Sequence, residues 1–312
     1  MLALKFVGII CITQILCAFG EPRKNFDFPG GFSFPSCGQV TAPSRRNSIK
    51  NTDATPGHNP YHANIVFTNF RSKYLKKAPC GGTLISKRAI LTSGHCLYAG
   101  NRRLTPDQFQ VTLGAYNVNK PLEVARQTIK PISTVVHPSY NHSSLLVFGD
   151  NLALLIFNES AIQITEDVKP ACLWSDDFDT EKILNVTGEV VGWSTDANGT
   201  QIDELKQNHL RVTSSADCEE YFKNKFQPTE NFCIAHTKDP EGCAYDDGAG
   251  FVINKNGRKY LRGVLINGLL ENDKRFDAKK ENVCVQTRRP LVTDLDHYID
   301  WIIENVPDIS RS

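Results

Sequence analysis

Eight cysteines constrain this chain more than any other feature. Cys37, Cys80, Cys96, Cys172, Cys218, Cys233, Cys243 and Cys284 follow an apolar N-terminal stretch, and their number is even. Met1–Gly20 carries Lys5, an apolar run from Phe6 to Cys17, and small residues at Ala18 and Gly20. That pattern reads as a secretory signal peptide, with an uncleaved anchor as the alternative. Loss of the leader removes Cys11 and Cys17 and leaves the eight in an oxidising compartment, where an even set reads as disulfides. Zinc is disfavoured, because no two of them have the close spacing of a zinc site. No later apolar run reaches the ~18 residues of a membrane-spanning helix, so a secreted, extracellular protein with no membrane partner is expected. Sequons at Asn141, Asn158, Asn185 and Asn198 fit that location.

Charge narrows the partners. Thirty-five basic residues against thirty-four acidic ones give a formal charge of +1, with no global field for phosphates, so nucleic acid is not expected as a partner. Residues 21–48 are rich in Pro, Gly, Ser and Asn without a helical or strand period, and read as a short propeptide-like irregular segment tethered by Cys37. From Ala63 onward, short runs heavy in Val, Ile, Leu, Thr and Phe recur between turn clusters: Asn64–Thr68, Gly82–Ile85, Ala89–Thr92, Gln110–Leu113, Glu189–Trp193, Gly250–Ile253 and Tyr260–Ile266. Many short strands with turn signals predict an all-β sandwich or barrel. Only Asp294–Asn305 differs: Leu295, Tyr298, Ile302 and Ile303 share a helical face, with Asp294 as N-cap and Pro307 beyond the end.

Three segments carry the chemistry. The first is Cys80-Gly81-Gly82-Thr83-Leu84-Ile85, followed by Leu91-Thr92-Ser93-Gly94-His95-Cys96. A Cys80–Cys96 bridge would close a loop worth ~3 kcal/mol. The second, Asp150-Asn151-Leu152-Ala153-Leu154-Leu155, opens an apolar strand with an acid able to orient an imidazole. The third, Cys243-Ala244-Tyr245-Asp246-Asp247-Gly248-Ala249-Gly250, is a glycine-bearing turn before a strand.

In this order and spacing the three resemble the trypsin-like (chymotrypsin-fold) serine proteases, and the resemblance covers residues 49–306. It implies two packed six-stranded antiparallel β-barrels with a C-terminal α-helix, and a catalytic cleft between the barrels. It places His95 on the general base, Asp150 on the orienting acid and Asp247 on the nucleophilic serine. It also implies bridges Cys80–Cys96, Cys218–Cys233, Cys243–Cys284 and Cys37–Cys172, the last keeping a propeptide attached. Maturation in the family frees an apolar terminus that pairs with the aspartate matched by Asp246. Here the corresponding stretch is Ser44-Arg45-Arg46-Asn47-Ser48-Ile49, so a cut after Arg46 would expose polar Asn47.

The departures from the family pattern set the functional expectation. A carboxylate, already ionised at neutral pH, stands where the attacking hydroxyl belongs, and no serine occurs between Ser215 and Ser310. Losing such a nucleophile costs ~10⁶ in turnover. Tyr245 falls on the oxyanion-hole glycine, Ile266 on the serine that supports the orienting acid, and Asn267 on the cleft tryptophan. Glu241 falls on the position that sets primary specificity, while Pro290 replaces a glycine that keeps the pocket open. The long mixed-charge segment Leu269–Val283 reads either as a solvated loop or as a partner-binding loop at the cleft rim. The expectation is therefore that the chain is not an enzyme. It reads as a secreted serine protease homologue without catalytic activity, acting by binding as cofactor, decoy or regulator in an extracellular proteolytic cascade such as insect clotting or melanisation. The expected partner is a protease or its substrate, and the resemblance looks more arthropod than vertebrate. Two other readings stay open: an active trypsin-like endopeptidase, and a ligand or metal scaffold using His95, Asp150 and Asp247. The favoured reading needs no cofactor.

Overall fold

The computed structural model describes residues 37–40, 53–68, 79–143, 148–174, 179–193, 195–196, 202–222, 228–236, 242–243, 246–266, 290–306 and 308–309. The leader, the Arg45–Ile49 stretch, Glu241, Tyr245, Asn267, Leu269–Val283, Cys284 and Asn198 lie outside the described residues.

The chain is mostly β, with strands in two sheets. The first contains β1 (His62–Phe67), β2 (Cys80–Ser86), β3 (Ala89–Thr92), β6 (Phe109–Leu113), β7 (Gln127–Ile129), β8 (Ser133–Val136) and β9 (Ala153–Ile156); a small hairpin, β4 (Tyr98–Ala99) with β5 (Arg102–Arg103), stands beside it. Its order is β7-β6-β1-β2-β3-β9-β8, so the two edge strands are consecutive in sequence. Pro131 falls between them, and its missing N–H interrupts what would be one long strand. Read as one bent strand, β7 and β8 close the sheet into a barrel of six.

The second sheet holds β10 (Cys172–Leu173), β11 (Thr187–Gly192), β13 (Lys206–Val212), β14 (Asn231–His236), β16 (Gly250–Lys255), β17 (Arg258–Leu265) and β18 (Leu291–Asp294), with β12 (Thr195–Asp196) and β15 (Gly242–Cys243) paired separately. β18 pairs with both β14 and β17 and closes a ring of six, to which β10 adds two residues in parallel on β17. The trypsin-like class holds. Each sheet has seven strands rather than six only because of the proline break and this short addition.

Each barrel is filled by the inward half of its alternating residues. Ile65, Leu84, Ile90, Val111 and Leu155 fill the first, and Val190, Leu210, Ile234, Phe251 and Val292 the second. A third cluster, including Ile85, Leu91, Leu154, Val252 and Leu261, joins the two barrels under the terminal segment. There the sequence reading needs adjustment. Asp294 ends β18 rather than capping the helix: it binds buried Arg262, and its Oδ1 accepts the Asp296 N–H at 3.0 Å. A 3₁₀ turn, Asp296–Tyr298, precedes the terminal α-helix Ile299–Asn305; the turn buries Tyr298 and the helix Ile302, both as expected. A second short helix spans Ser215–Phe222.

Three of the implied disulfides are present: Cys37–Cys172, Cys80–Cys96 and Cys218–Cys233. The first ties the lead segment to the second barrel, where the Gly38 N–H donates to the Pro170 carbonyl and the Lys259 N–H to the Gly38 carbonyl. The fourth bridge involves Cys284, outside the described residues.

Candidate functional site

His95 lies in a 3₁₀ turn, Gly94–Leu97, that leaves β3 and is pinned by the Cys80–Cys96 bridge. Asp247 comes from the other barrel, on the turn entering β16. Gly248 makes that turn possible. Its φ is +82°, and a Cβ there would sit 2.2 Å from Thr92 Oγ1 and 2.7 Å from the Gly81 carbonyl, which only glycine tolerates. The Gly81 N–H donates to the Asp247 carbonyl at 2.7 Å and locks the turn against β2. His95 Nε2 and Asp247 Oδ2 are thereby held 3.3 Å apart, at the junction of the barrels. Asp247 is about one-fifth exposed and His95 about one-tenth.

The orienting position corrects the sequence reading. Asp150 does not face His95. Its backbone adopts φ +55°, its N–H donates to the Tyr298 hydroxyl at 3.0 Å, and its carboxylate lies 3.1 Å from His137 Nδ1. Asn151 takes the place instead: its Oδ1 accepts the His95 N–H at 3.0 Å, and its Nδ2 lies 3.1 Å from His95 Nδ1. The error is one residue of register. Successive side chains of an extended segment point to opposite sides, so a one-residue slip exchanges the two completely. The same displacement undoes the candidate cation set, since His95, Asp150 and Asp247 do not converge; among the described residues no group of three metal-ligating side chains does.

This geometry fixes the chemistry of the imidazole. Asn151 Oδ1, which already accepts the His95 N–H, lies 3.4 Å from Nδ1, and Nδ2 lies nearer at 3.1 Å; donation from Nδ2 to Nδ1 places the ring proton on Nε2, facing Asp247. A serine protease needs the opposite arrangement, with a carboxylate behind the ring and an unprotonated Nε2 in front. Charge and proton have exchanged sides. The diverted Asp150 is held by His137, whose ring meets Tyr298 and Trp301 edge-on at 5.0 and 5.1 Å. Burial keeps the His137 imidazole below its usual pKa, although Asp150 pulls the other way.

Asp246, beside the nucleophile position, is buried and already has partners. Both its oxygens lie within 3.3 Å of the Trp193 N–H, and His62 Nε2 stands 3.6 Å away in an equally dry site. The His62 ring lies against Trp193 at 5.1 Å. The sequence reading missed His62, which opens β1 one residue before the core-filling Ala63. Ile266 is fully buried and carries no hydroxyl. Pro290 is buried, and its carbonyl accepts the Ile234 N–H at 3.0 Å.

Two barrels with His95 and Asp247 facing each other across their junction define the trypsin-like class, and comparison with known proteins agrees. The family model described as Trypsin matches residues 48–301, and the chain belongs to that family. Among similar proteins, "Serine protease gd" of Drosophila melanogaster is 26% identical over 80% of this chain and 51% of its own length. "Clotting factor C" of Tachypleus tridentatus is 29% identical over 82% of this chain and 26% of its own, and "Serine protease grass" of Drosophila melanogaster 26% over 79% and 64%. The chain thus spans between a quarter and two thirds of the length of these relatives. The comparisons also correct one expectation. The chain was expected not to be an enzyme, but its family is an enzyme family and these relatives include proteins named as serine proteases.

Proposed function

We propose that this protein is secreted and works in an extracellular proteolytic cascade by binding a protease, or a protease's protein substrate, as cofactor, decoy or regulator. The observation that carries the reading is the exchanged polarity around His95, with a neutral amide behind the ring and a carboxylate in front. In the family's reaction a hydroxyl gives its proton to Nε2 as it attacks. Asp247 offers a carboxylate where that step needs a hydroxyl, and a carboxylate opposes the oxyanion that must form beside it. The barrels and the turns that surround them keep surfaces on which a protein can dock, and binding by shape does not require turnover.

Secretion is supported by the apolar leader, three disulfides and exposed sequons at Asn141, Asn158 and Asn185. We place the leader at residues 1–20, the tethered lead at 21–48 and the trypsin-like domain at 49–306. A role in a cascade is in keeping with the relative named as a clotting factor. A second reading, a trypsin-like endopeptidase, is favoured by the relatives named as serine proteases and by the retained His95.

The two readings separate on the purified, secreted chain. Under the binding reading a fluorophosphonate probe leaves no adduct, a panel of peptide substrates is not cleaved, and a protease or its substrate is recovered on the chain from its native extracellular fluid. Peptide cleavage abolished by His95→Ala overturns it in favour of the endopeptidase.

A further inference from the structure

We propose that Asn141 carries an N-linked glycan and that this glycan closes the His95 side of the cleft rim to protein partners while leaving it open to small molecules. The surface that presents Asn141 is built onto the histidine turn. Tyr140 packs so closely on Gly94 that a Cβ there would lie 3.0 Å from its ring. His142 stacks on Tyr98 with centroids 4.1 Å apart and planes within 8°. Its Nδ1 lies 3.1 Å from the Tyr140 hydroxyl and its Nε2 2.8 Å from the Gly100 carbonyl. Residues 140 and 142 are therefore fixed to residues 94, 98 and 100, on either side of His95.

Between them Asn141 is exposed, and its Oδ1 accepts the Ser143 N–H at 3.1 Å. That bond engages Oδ1 rather than the amide nitrogen, and both Asn141 and Ser143 are exposed. A glycan added to Asn141 consequently has room in the folded protein. The transfer joins the Asn141 amide nitrogen to the anomeric carbon of an oligosaccharide carried on a lipid diphosphate. The sugar–phosphate C–O bond breaks, the lipid diphosphate leaves with the bonding pair, and the amide proton passes to a base of the transferase.

The other described sequons lie elsewhere. Asn158 follows the end of β9 remote from Asn151, seven residues away and so ~20 Å along an extended chain. Asn185 precedes the end of β11 remote from Trp193, its N–H bonded to the Val212 carbonyl. Of the three, only Asn141 is anchored to the histidine turn. A flexible, bulky glycan there excludes a protein surface from that rim and hardly hinders a small molecule.

The test uses the full chain secreted from insect cells. Peptide mass spectrometry after peptide-N-glycosidase treatment is expected to find Asn141 converted to Asp, and both Asn141→Gln and Ser143→Ala are expected to lose one glycan. An antibody fragment is then selected on the Ser143→Ala chain for shielding His95 from diethyl pyrocarbonate. It is expected to bind the glycosylated chain about ten-fold more weakly, with binding recovered after enzymatic deglycosylation, while diethyl pyrocarbonate alone modifies His95 at the same rate in both. An unmodified Asn141 overturns the proposal. Equal binding of the fragment to both chains overturns the closure of the rim.

Discussion

Asn151, and not the neighbouring Asp150, stands behind His95, with its amide nitrogen 3.1 Å from Nδ1. An amide in this place holds the imidazole in the tautomer that cannot accept a hydroxyl proton. In serine proteases the same change lowers turnover by ~10⁴ with the geometry intact. Restoring only the nucleophile, by Asp247→Ser, is therefore expected to give no useful hydrolysis of peptide thioester or nitroanilide substrates. Adding the exchange Asp150→Asn with Asn151→Asp is expected to raise whatever rate Asp247→Ser shows by ~10³–10⁴. A single Asp247→Ser variant that cleaves as fast as the triple one would show that Asn151 does not set the tautomer.

The buried pair Arg262–Asp294 offers a test of the second barrel. Arg262 is fully buried, both carboxylate oxygens of Asp294 meet its guanidinium, and the Phe232 ring lies 5.3 Å from its centre. Burial pushes the Asp294 carboxyl up while Arg262 opposes it. Removing one partner leaves the other buried without compensation, a loss of ~3–5 kcal/mol. Arg262→Ala should lower the urea midpoint accordingly, whereas the double change Arg262→Met with Asp294→Leu should recover most of it. A loss below ~1 kcal/mol in Arg262→Ala would mean that water or another group replaces the guanidinium.

These partnerships also mark where the sequence stopped being informative. Strand rhythm is a local signal, so an all-β body could be read directly, whereas the two-barrel class and the cysteine pairings came with the family resemblance that the His95, Asp150 and Asp247 segments carry. The register at Asp150-Asn151 could not be read, because an acid is the expected residue behind a histidine and a one-residue slip leaves the apolar run unchanged. Nothing local announces Tyr61, Glu189, Gln207 and Lys259, which join in one buried network although Tyr61 and Glu189 are 128 residues apart. Only the closed barrels bring such partners together. His62 belongs with them: alternation puts it on the face opposite Ala63 and Ile65, and only the folded chain brings it to Asp246.

Asp246 depends on that histidine. The carboxylate is 5% exposed, and among the described residues it also accepts the Trp193 N–H. His62→Phe keeps the packing on Trp193 but removes the polar partner. It is expected to cost ~1–3 kcal/mol, read as a lower thermal midpoint. Asp246→Asn in the same background should restore part of the loss, because the uncompensated charge is gone. If His62→Phe is neutral, Asp246 is satisfied without it.

Three imidazoles give the stability a definite dependence on pH. His58, His137 and His236 all lie below their usual values, chiefly because burial disfavours the charged form. They therefore bind protons more readily in the unfolded chain than in the folded one. Their contribution is complete above the unfolded value, near pH ~6.5, and is lost as the pH falls from there through the lowered folded values. The thermal midpoint should be flat from pH 8 to 7 and then decline toward pH 5. Replacing His236 by Gln should make that decline shallower. An unchanged slope in His236→Gln would assign the acid sensitivity to other groups.

Gly248 sets the distance on which the site depends. At φ +82° it turns the chain so that the Asp247 carbonyl meets the Gly81 N–H and the carboxylate meets His95. Alanine would bring Cβ 2.7 Å from the Gly81 carbonyl, a backbone atom that cannot rotate away, and would add the strain of a left-handed residue. Overpacking and strain together should cost ~2–4 kcal/mol, and the turn can relieve them only by drawing away from β2. His95 then loses the carboxylate in front of it while keeping Asn151 behind. Gly248→Ala should therefore lower the melting temperature and also move the His95 imidazole resonances toward those of Asp247→Ala, as NMR would record. A destabilised variant whose His95 signals stay at their wild-type positions would show that the turn holds its place without glycine.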